Sequence, residues 1–265
     1  MSDSEGEGEI GIFQEPDDYY QPEKQPTFEK HRLLDGRELN LRLVGHNPLW
    51  GHHLWNAGRT FASYIEQNAT TLVLNKTVLE LGAGAGLPSL TSAIKGASHV
   101  VVTDYPDADL IENLQYNIDH CEYLRQAQDQ PQQQPCQIHA EGYLWGADTD
   151  KVVSYLPQGA QGEKFDVLIL ADLLFNHSEH AKLVASVQRT LKRSADARAY
   201  VFFTPYRPWL LQKDLAFFDL AREGGFVVDK IFEKVMDKVM FEEDPGDELL
   251  RRTVYGYELR WAEPQ

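Results

Sequence analysis

The spacing of apolar and polar positions along this 265-residue chain changes several times, and each change marks an element. From Glu38 to Gly45, Leu39, Leu41 and Leu43 alternate with polar neighbours, which predicts a strand with one buried face. The next segment carries Leu54, Gly58, Phe61, Ala62 and Ile65 at helical spacing. Thr77–Leu81 is a short apolar run of strand length, and the residues near 87–95 can be helical. His99–Tyr105 reads as a second such strand. Behind it, Leu110, Ile111, Leu114 and Ile118 share one helical face, with Pro106 expected in the first turn. A third strand is expected within Cys136–Gly146, and a fourth at Phe165–Asp172 with a helix near 178–192 behind it. The fifth, in Ala197–Tyr206, leads into an amphipathic helix that ends at the pair Gly224 and Gly225. Finally, Phe226–Val235 and Arg251–Trp261 can pair as an antiparallel hairpin around the acidic loop Glu242–Glu248.

Five alternating β/α units closed by a hairpin predict an α/β fold: a doubly wound, seven-stranded, mostly parallel sheet with helices on both faces. Ligands in such sheets sit at the carboxyl ends of the strands, and the notable polar motifs of this chain all fall there. Composition trims the picture at two places. Residues 1 to about 30 hold nine acids against two lysines, with Pro16, Pro22 and Pro26, and read as an acidic disordered tail. Residues 31–265 form the domain, with a Gln-rich, low-complexity loop near 125–137.

The net charge of −16 disfavours nucleic acid as a partner and favours basic proteins or peptides. Two cysteines make no disulfide framework, and no segment reads as a signal or a membrane span. A cytoplasmic protein without membrane attachment is therefore expected.

The candidate chemistry begins at "TVLELGAGAGLPSL", where Gly82, Gly84 and Gly86 follow a strand and precede a helix. Such a turn lets a ligand approach the main chain. A phosphate-binding P-loop fails, because the sixth residue from Gly82 is Leu87 and no lysine follows. The dinucleotide fingerprint also meets Leu87 where it needs its third small residue. Glu80, just before the glycines, would repel a pyrophosphate but suits an ammonium and a sulfonium. Asp104, twenty residues past Gly84, can accept from ribose hydroxyls, a feature common to both cofactor types. Glu80 and Leu87 together favour S-adenosylmethionine.

These residues resemble motif I and the acidic end of the second strand in seven-strand S-adenosylmethionine-dependent methyltransferases, which have a Rossmann-like fold. Within that class, "PLWGHHLWNAGR", "ADLLFNHSEH" and "FTPYRPWL" are similar to the fungal family of protein N-terminal and lysine methyltransferases of translation elongation factor 1-alpha. The resemblance covers roughly residues 50–260 and leaves the tail and the Gln-rich loop unexplained. It implies that Gly82, Ala83 and Gly84 bound the methionine part of the cofactor and that Asp104 holds the ribose. Trp55 and Trp145 would line the cofactor pocket, and Ala171 would contact the cofactor. It further implies a protein substrate, elongation factor 1-alpha, acted on by a monomer.

An acceptor rim is expected from Asp172, Phe175, Asn176, Tyr206 and Arg207, with Asp172 a candidate to accept a hydrogen bond from the incoming amine; no catalytic base is assigned. Plainer roles stand beside these. Asn176 or His177 can cap the following helix, Tyr206 and Arg207 can anchor a turn bracketed by prolines, and the tryptophans can be ordinary core. His177 with His180, and His52 with His53, match no metal-ligand spacing, so no metal is expected. Two other functions stay open on composition: methylation of a small-molecule amine such as nicotinamide, and a non-catalytic module that binds S-adenosylmethionine.

Overall fold

The computed structural model describes residues 25–128, 135–157 and 164–262. Its main sheet has seven strands: β3 (Thr77–Leu81), β4 (His99–Asp104), β5 (Gln137–Gly142), β6 (Val167–Ala171), β7 (Arg198–Phe203), β8 (Phe226–Val235) and β9 (Thr253–Trp261). Their spatial order is β5-β4-β3-β6-β7-β9-β8. The first five are parallel, and β9 runs antiparallel to both β7 and β8. The architecture is the one expected from the sequence.

The strand runs are continuously apolar because both sheet faces are covered. Side chains alternate across a strand, so Val78, Val100, Val167 and Ile169 point to one core and Leu79, Val101, Leu168 and Leu170 to the other. The first core receives Phe61 and Ile65 of α1 (Asn56–Leu72), Leu87 and Leu90 of α2 (Leu87–Ile94), and Leu124 of α4 (Glu122–Gln128). The second receives Leu183 and Val187 of α6 (His180–Thr190) with Phe217 and Phe218 of α7 (Leu211–Glu223). The remaining helices are α3 (Ala108–Asp119) and the four-residue α5 (Asp150–Val153) and α8 (Glu248–Arg251).

Several boundaries differ from the sequence expectation. The first strand, β1 (Thr27–Arg32), lies partly within the expected tail and pairs antiparallel with β2 (Glu38–Leu43) in a separate two-stranded sheet. Leu39, Leu41 and Leu43 are buried, as their alternation implies. Arg42 fixes this hairpin to α3: its Nε donates to Asn113 Oδ1 (2.8 Å), its backbone N–H to Asn117 Oδ1 (2.8 Å), and its guanidinium lies 4.2 Å from the Tyr116 ring centroid. The rest of the expected tail, residues 1–24, lies outside the described residues. Helix α4 occupies the start of the expected Gln-rich loop, of which residues 129–134 are not described. Pro106 sits ahead of α3 rather than in its first turn, because Asp107 takes the cap position and accepts from Asp109 N. Among the described residues no helix is long and apolar enough to cross a membrane, and Cys121 and Cys136 are free.

Strands β4 and β5 extend from β3 in one direction while β7 extends from β6 in the other. The chain's crossovers therefore diverge between β3 and β6, which opens a crevice at their carboxyl ends. The antiparallel strands have a close approach of their own. Gly256 of β9 stands opposite Phe202 of β7 and Phe232 of β8. A Cβ there would come within 2.6 Å of Phe202 Cζ and 2.7 Å of Phe232 Cβ. Gly256→Ala is expected to cost about 1–3 kcal/mol through overpacking, which a thermal melt should record as a loss of several degrees. An unchanged melting temperature would mean that the two phenylalanines can separate freely.

Candidate active site

The crevice between β3 and β6 holds a cavity of about 410 Å³. Its floor is the turn after β3. Gly82 has φ 60° and lies so close to Leu173 and Trp145 that a Cβ would meet them at 2.6 and 3.1 Å. Gly84 has φ 57°, and a Cβ there would enter open space. The first glycine is thus required by packing and the second by backbone conformation, and both keep side chains out of the cavity.

Two carboxylates tie this turn to the strands. Asp104, at the end of β4, accepts from Gly84 N (2.7 Å) through Oδ2 and from Tyr105 N (2.7 Å) through Oδ1. Burial raises its pKa, against the lowering effect of those two bonds. A carboxylate has about four acceptor positions, so Asp104 retains capacity for ribose hydroxyls. Glu80 is 1% exposed and lines the cavity, and its Oε2 accepts from Ser89 N (2.9 Å) and bonds the Ser89 hydroxyl in the first turn of α2. Burial lifts its pKa to about 8, more than the bonds from Ser89 lower it.

Trp55, Ala83, Trp145 and Ala171 also line this cavity. All eight residues named from the sequence for the cofactor therefore meet around one space. Trp55 caps α1 by position and donates its Nε1–H to the Trp50 carbonyl (3.1 Å). Of the acceptor candidates, Asp172, Phe175, Asn176 and Arg207 line the cavity, and Tyr206 lines a second recess of about 170 Å³. The two spaces share Trp50, Trp55, Asp172, Phe175 and Arg207.

Asp172 differs from the expected rim carboxylate. It is 7% exposed and left-handed at φ 55°. Its Oδ2 accepts from Ala57 N (2.8 Å) and from the Tyr206 hydroxyl (3.2 Å), and its Oδ1 accepts from Thr204 N (2.7 Å). It lies in both walls but is committed to joining α1, β6 and the end of β7. Burial raises its pKa to about 7. Burial and the Asp172 charge together push the Tyr206 phenol well above its ordinary value.

Arg207 donates Nη2–H to the Phe175 carbonyl (2.7 Å), which fixes the loop after β6. Asn176 stands at the cap position of the 3-10 turn His177–Glu179 without a capping side-chain bond, and its Oδ1 accepts from Ser178 Oγ (3.1 Å). His177 donates Nε2–H to Asp214 Oδ1 (2.6 Å), and His180 donates Nε2–H to the Leu174 carbonyl (2.9 Å). Among the described residues no group of three His, Cys, Asp or Glu side chains could hold a metal ion.

Sequence reasoning missed Trp50, Thr204, Asp214, Phe241 and Asp244, which line the second recess. Asp244 belongs to the loop noticed only for its charge, and Asp214 sits in α7 with no motif to mark it.

The S-adenosylmethionine fit rests on this geometry: a turn without side chains, a carboxylate at the end of β4 with spare acceptor capacity, and a buried acid beside the glycines. When bound, the cofactor supplies an electrophilic methyl group on a sulfonium.

Two expectations follow. A carboxyl with a raised folded-state pKa stabilises the fold fully below its unfolded value, and that contribution is lost as pH rises through the folded value. For Glu80 the window runs from 4.5 to about 8. Glu80→Gln cannot ionise, so melting curves of the ligand-free protein should show the variant gaining on the parent across that window. Parallel curves would show that Glu80 does not titrate in it. Asp172→Ala leaves the Ala57 and Thr204 N–H groups and the Tyr206 hydroxyl without their acceptor. It is expected to cost roughly 3–9 kcal/mol at about 1–3 per stranded donor, with Asp172→Asn losing less. Denaturant titration checks both, and a parent-like midpoint for the alanine variant would mean that these donors find other partners.

Comparison with known proteins agrees with this geometry. The sequence profile of the family described as lysine methyltransferase matches residues 33–223. The protein N-terminal and lysine N-methyltransferase efm7 of Emericella nidulans is 52% identical over 252 residues, covering 95% of both chains. Its counterpart in Schizosaccharomyces pombe is 45% identical and covers 98% of both. Among solved structures, a T. thermophilus 16S rRNA methyltransferase in complex with AdoMet and guanosine superposes with a TM-score of 0.51 at 16% identity. That superposition covers 90% of this chain and 51% of the other, and the likeness is one of fold. With a family match across most of its length and a relative 52% identical over 95% of it, the chain belongs to the lysine methyltransferase family and is an S-adenosylmethionine-dependent protein methyltransferase.

Proposed function

We propose that the enzyme methylates the N-terminal α-amine, the adjacent lysine, or both, of translation elongation factor 1-alpha. One observation carries the choice of a basic protein end. The cofactor cavity opens beside an aromatic recess whose charged lining is mostly acidic: Asp172, Asp214 and Asp244 against Arg207. Trp50 at 50% and Phe175 at 39% exposure stand where the two spaces meet, and a flexible terminus can thread between them. The names of the fungal relatives support the same chemistry.

Cofactor contacts are assigned to Trp55, Glu80, Gly82, Ala83, Gly84, Asp104, Trp145 and Ala171. Phe175, Asn176 and Arg207 face the acceptor, while Asp172 and Tyr206 position the wall behind it. The acceptor nitrogen must carry a free lone pair. An α-amine loses its proton near pH 7.7–8.0 and a lysine near about 10.4, so a chain terminus needs less help. Residues that orient the amine toward the sulfonium supply most of the acceleration by fixing the approach. The acidic field draws a basic terminus in, with a reach of about 8–10 Å at ordinary ionic strength. We further place the protein in the cytoplasm, in keeping with its two free cysteines, and propose that it acts as a monomer.

The test is methyl transfer to elongation factor 1-alpha N-terminal peptides with free or acetylated α-amines, beside nicotinamide. The free-amine peptide should be methylated. Acetylation should abolish the α-amine product and leave only methylation on lysine. Methylation of nicotinamide with none of the free-amine peptide would replace this reading with a small-molecule one.

A further inference from the structure

Helix α3 lies against the cofactor cavity from outside, and none of its residues lines it. Two parts of the cavity nevertheless rest on this helix. The glycine turn meets it at Gly86, where a Cβ would come within 3.1 Å of Leu114 Cδ2. Residues 44–55 run from β2 to α1 and supply Leu49, Trp50 and His53 to the lining. They meet the helix at Gly51, where a Cβ would come within 2.7 Å of Leu110 Cδ2.

One side chain of α3 is bonded to both parts. Asn117, 3% exposed, accepts from Arg42 N through Oδ1 (2.8 Å). Its Nδ2 donates to the Arg42 carbonyl (2.9 Å) and to the Ala85 carbonyl (3.0 Å). Arg42 is the next-to-last residue of β2, so the segment that lines the cavity starts from this anchor. Ala85 is buried between Gly84 and Gly86 in the turn. Its carbonyl shares a peptide plane with Gly86 N–H, which donates to the Ala83 carbonyl (2.9 Å). That peptide is thus gripped at both ends, by the turn itself and by Asn117, while Asp104 holds the neighbouring Gly84 N–H.

The demand on position 117 is narrow. A carboxamide offers an acceptor oxygen and two N–H donors, and here an N–H faces the oxygen while two carbonyls face the nitrogen. A buried carbonyl that loses its donor costs free energy, which rotation of its peptide relieves. Such a rotation would move the turn on which the cofactor rests. Asn113 supplies the contrast. It is buried one helical turn earlier, and its bonds, from Arg42 Nε to Oδ1 (2.8 Å) and from Nδ2 to the Arg42 carbonyl (2.9 Å), both go to Arg42.

We propose that Asn117 is a positioning residue for S-adenosylmethionine. Without touching the cofactor, it sets the Ala85 peptide and ties the glycine turn to the segment that lines the rest of the cavity.

The experiment uses the full-length chain. Asn117→Ala removes all three bonds. Asn117→Asp keeps the shape and the acceptor for Arg42 N–H but loses both donors. Asn113→Ala removes two bonds to Arg42 and leaves the bond to Ala85. S-adenosylhomocysteine binding is measured calorimetrically below the unfolding range of each variant, and KM for S-adenosylmethionine and kcat are measured with the acceptor peptide. Asn117→Ala should weaken S-adenosylhomocysteine binding about 10-fold. KM for S-adenosylmethionine should rise in parallel, with kcat at saturating cofactor within about 2-fold of the parent. Asn117→Asp should weaken binding at least as much, because two acceptors then face each other, and it carries the test if the alanine variant does not fold. Asn113→Ala should lower the melting temperature yet leave S-adenosylhomocysteine affinity within about 2-fold of the parent.

Parent-like binding in a folded Asn117 variant would overturn the proposal. So would an equal loss in Asn113→Ala, which would make the effect a general loosening of α3 against the hairpin. S-adenosylhomocysteine binding needs no acceptor, so its outcome is independent of which amine the enzyme methylates.

Discussion

One buried carboxylate holds the two halves of this site together. Asp172 follows the last residue of β6 in a left-handed conformation that L-residues adopt at a cost. The three donors it accepts come from the start of α1, the residue after β7 and the Tyr206 phenol. Removing water from a carboxylate is expensive unless such donors compensate. Once they do, the position of α1 relative to the sheet is fixed, and with it Trp55 at the head of that helix. Trp55 then meets Tyr206 and Phe241 at ring-contact distance. The boundary between the cofactor cavity and its side recess is thus set from beneath by one ion-dipole junction.

The glycine turn solves the complementary problem from the other side of the crevice. Gly82 lets Leu173 and Trp145 close down on the turn, and Gly84 leaves its N–H to Asp104. Leu173 is the residue after Asp172, so the same loop that anchors α1 also presses on the cofactor turn. Packing therefore links the β3 and β6 ends directly. Glu80 lies one layer deeper, where its bonds to Ser89 secure the start of α2. An acid that reads from sequence as a cofactor contact is also part of the scaffold that shapes the turn.

Much of this was legible in the chain itself. Continuous apolar runs such as Val167–Leu170 can exist only in a sheet covered on both faces, and their alternation with helical segments fixes a parallel order. "LGAGAG" followed by Asp104 twenty residues on is local, and local patterns survive translation into structure. The second recess was not legible for a corresponding reason. Thr204, Asp214, Phe241 and Asp244 come from four segments with no common spacing, and only the packing of α7 and the β8–β9 connection brings them together. The β1–β2 hairpin was half legible: alternation revealed β2, but β1 is mostly exposed, and polar side chains such as Glu29 and Lys30 carry no burial pattern to read.

The charge balance of the protein gains meaning when divided between these spaces. An acidic surface attracts any basic peptide, which is weak selection. A carboxylate at the reacting nitrogen would oppose the reaction by keeping it protonated. The fold separates the two demands. Asp172, nearest the cofactor cavity, has its oxygens turned to backbone N–H groups and a phenol, and its raised pKa of about 7 reduces its charge at neutral pH. Asp214 and Asp244 line only the side recess; Asp214 is bonded to His177 at 2.6 Å and burial raises its pKa as it does that of Asp172, while Asp244 is exposed. The two buried carboxylates are thus committed to holding the fold, and of the acids lining the recess it is the exposed Asp244 that contributes its charge toward solvent.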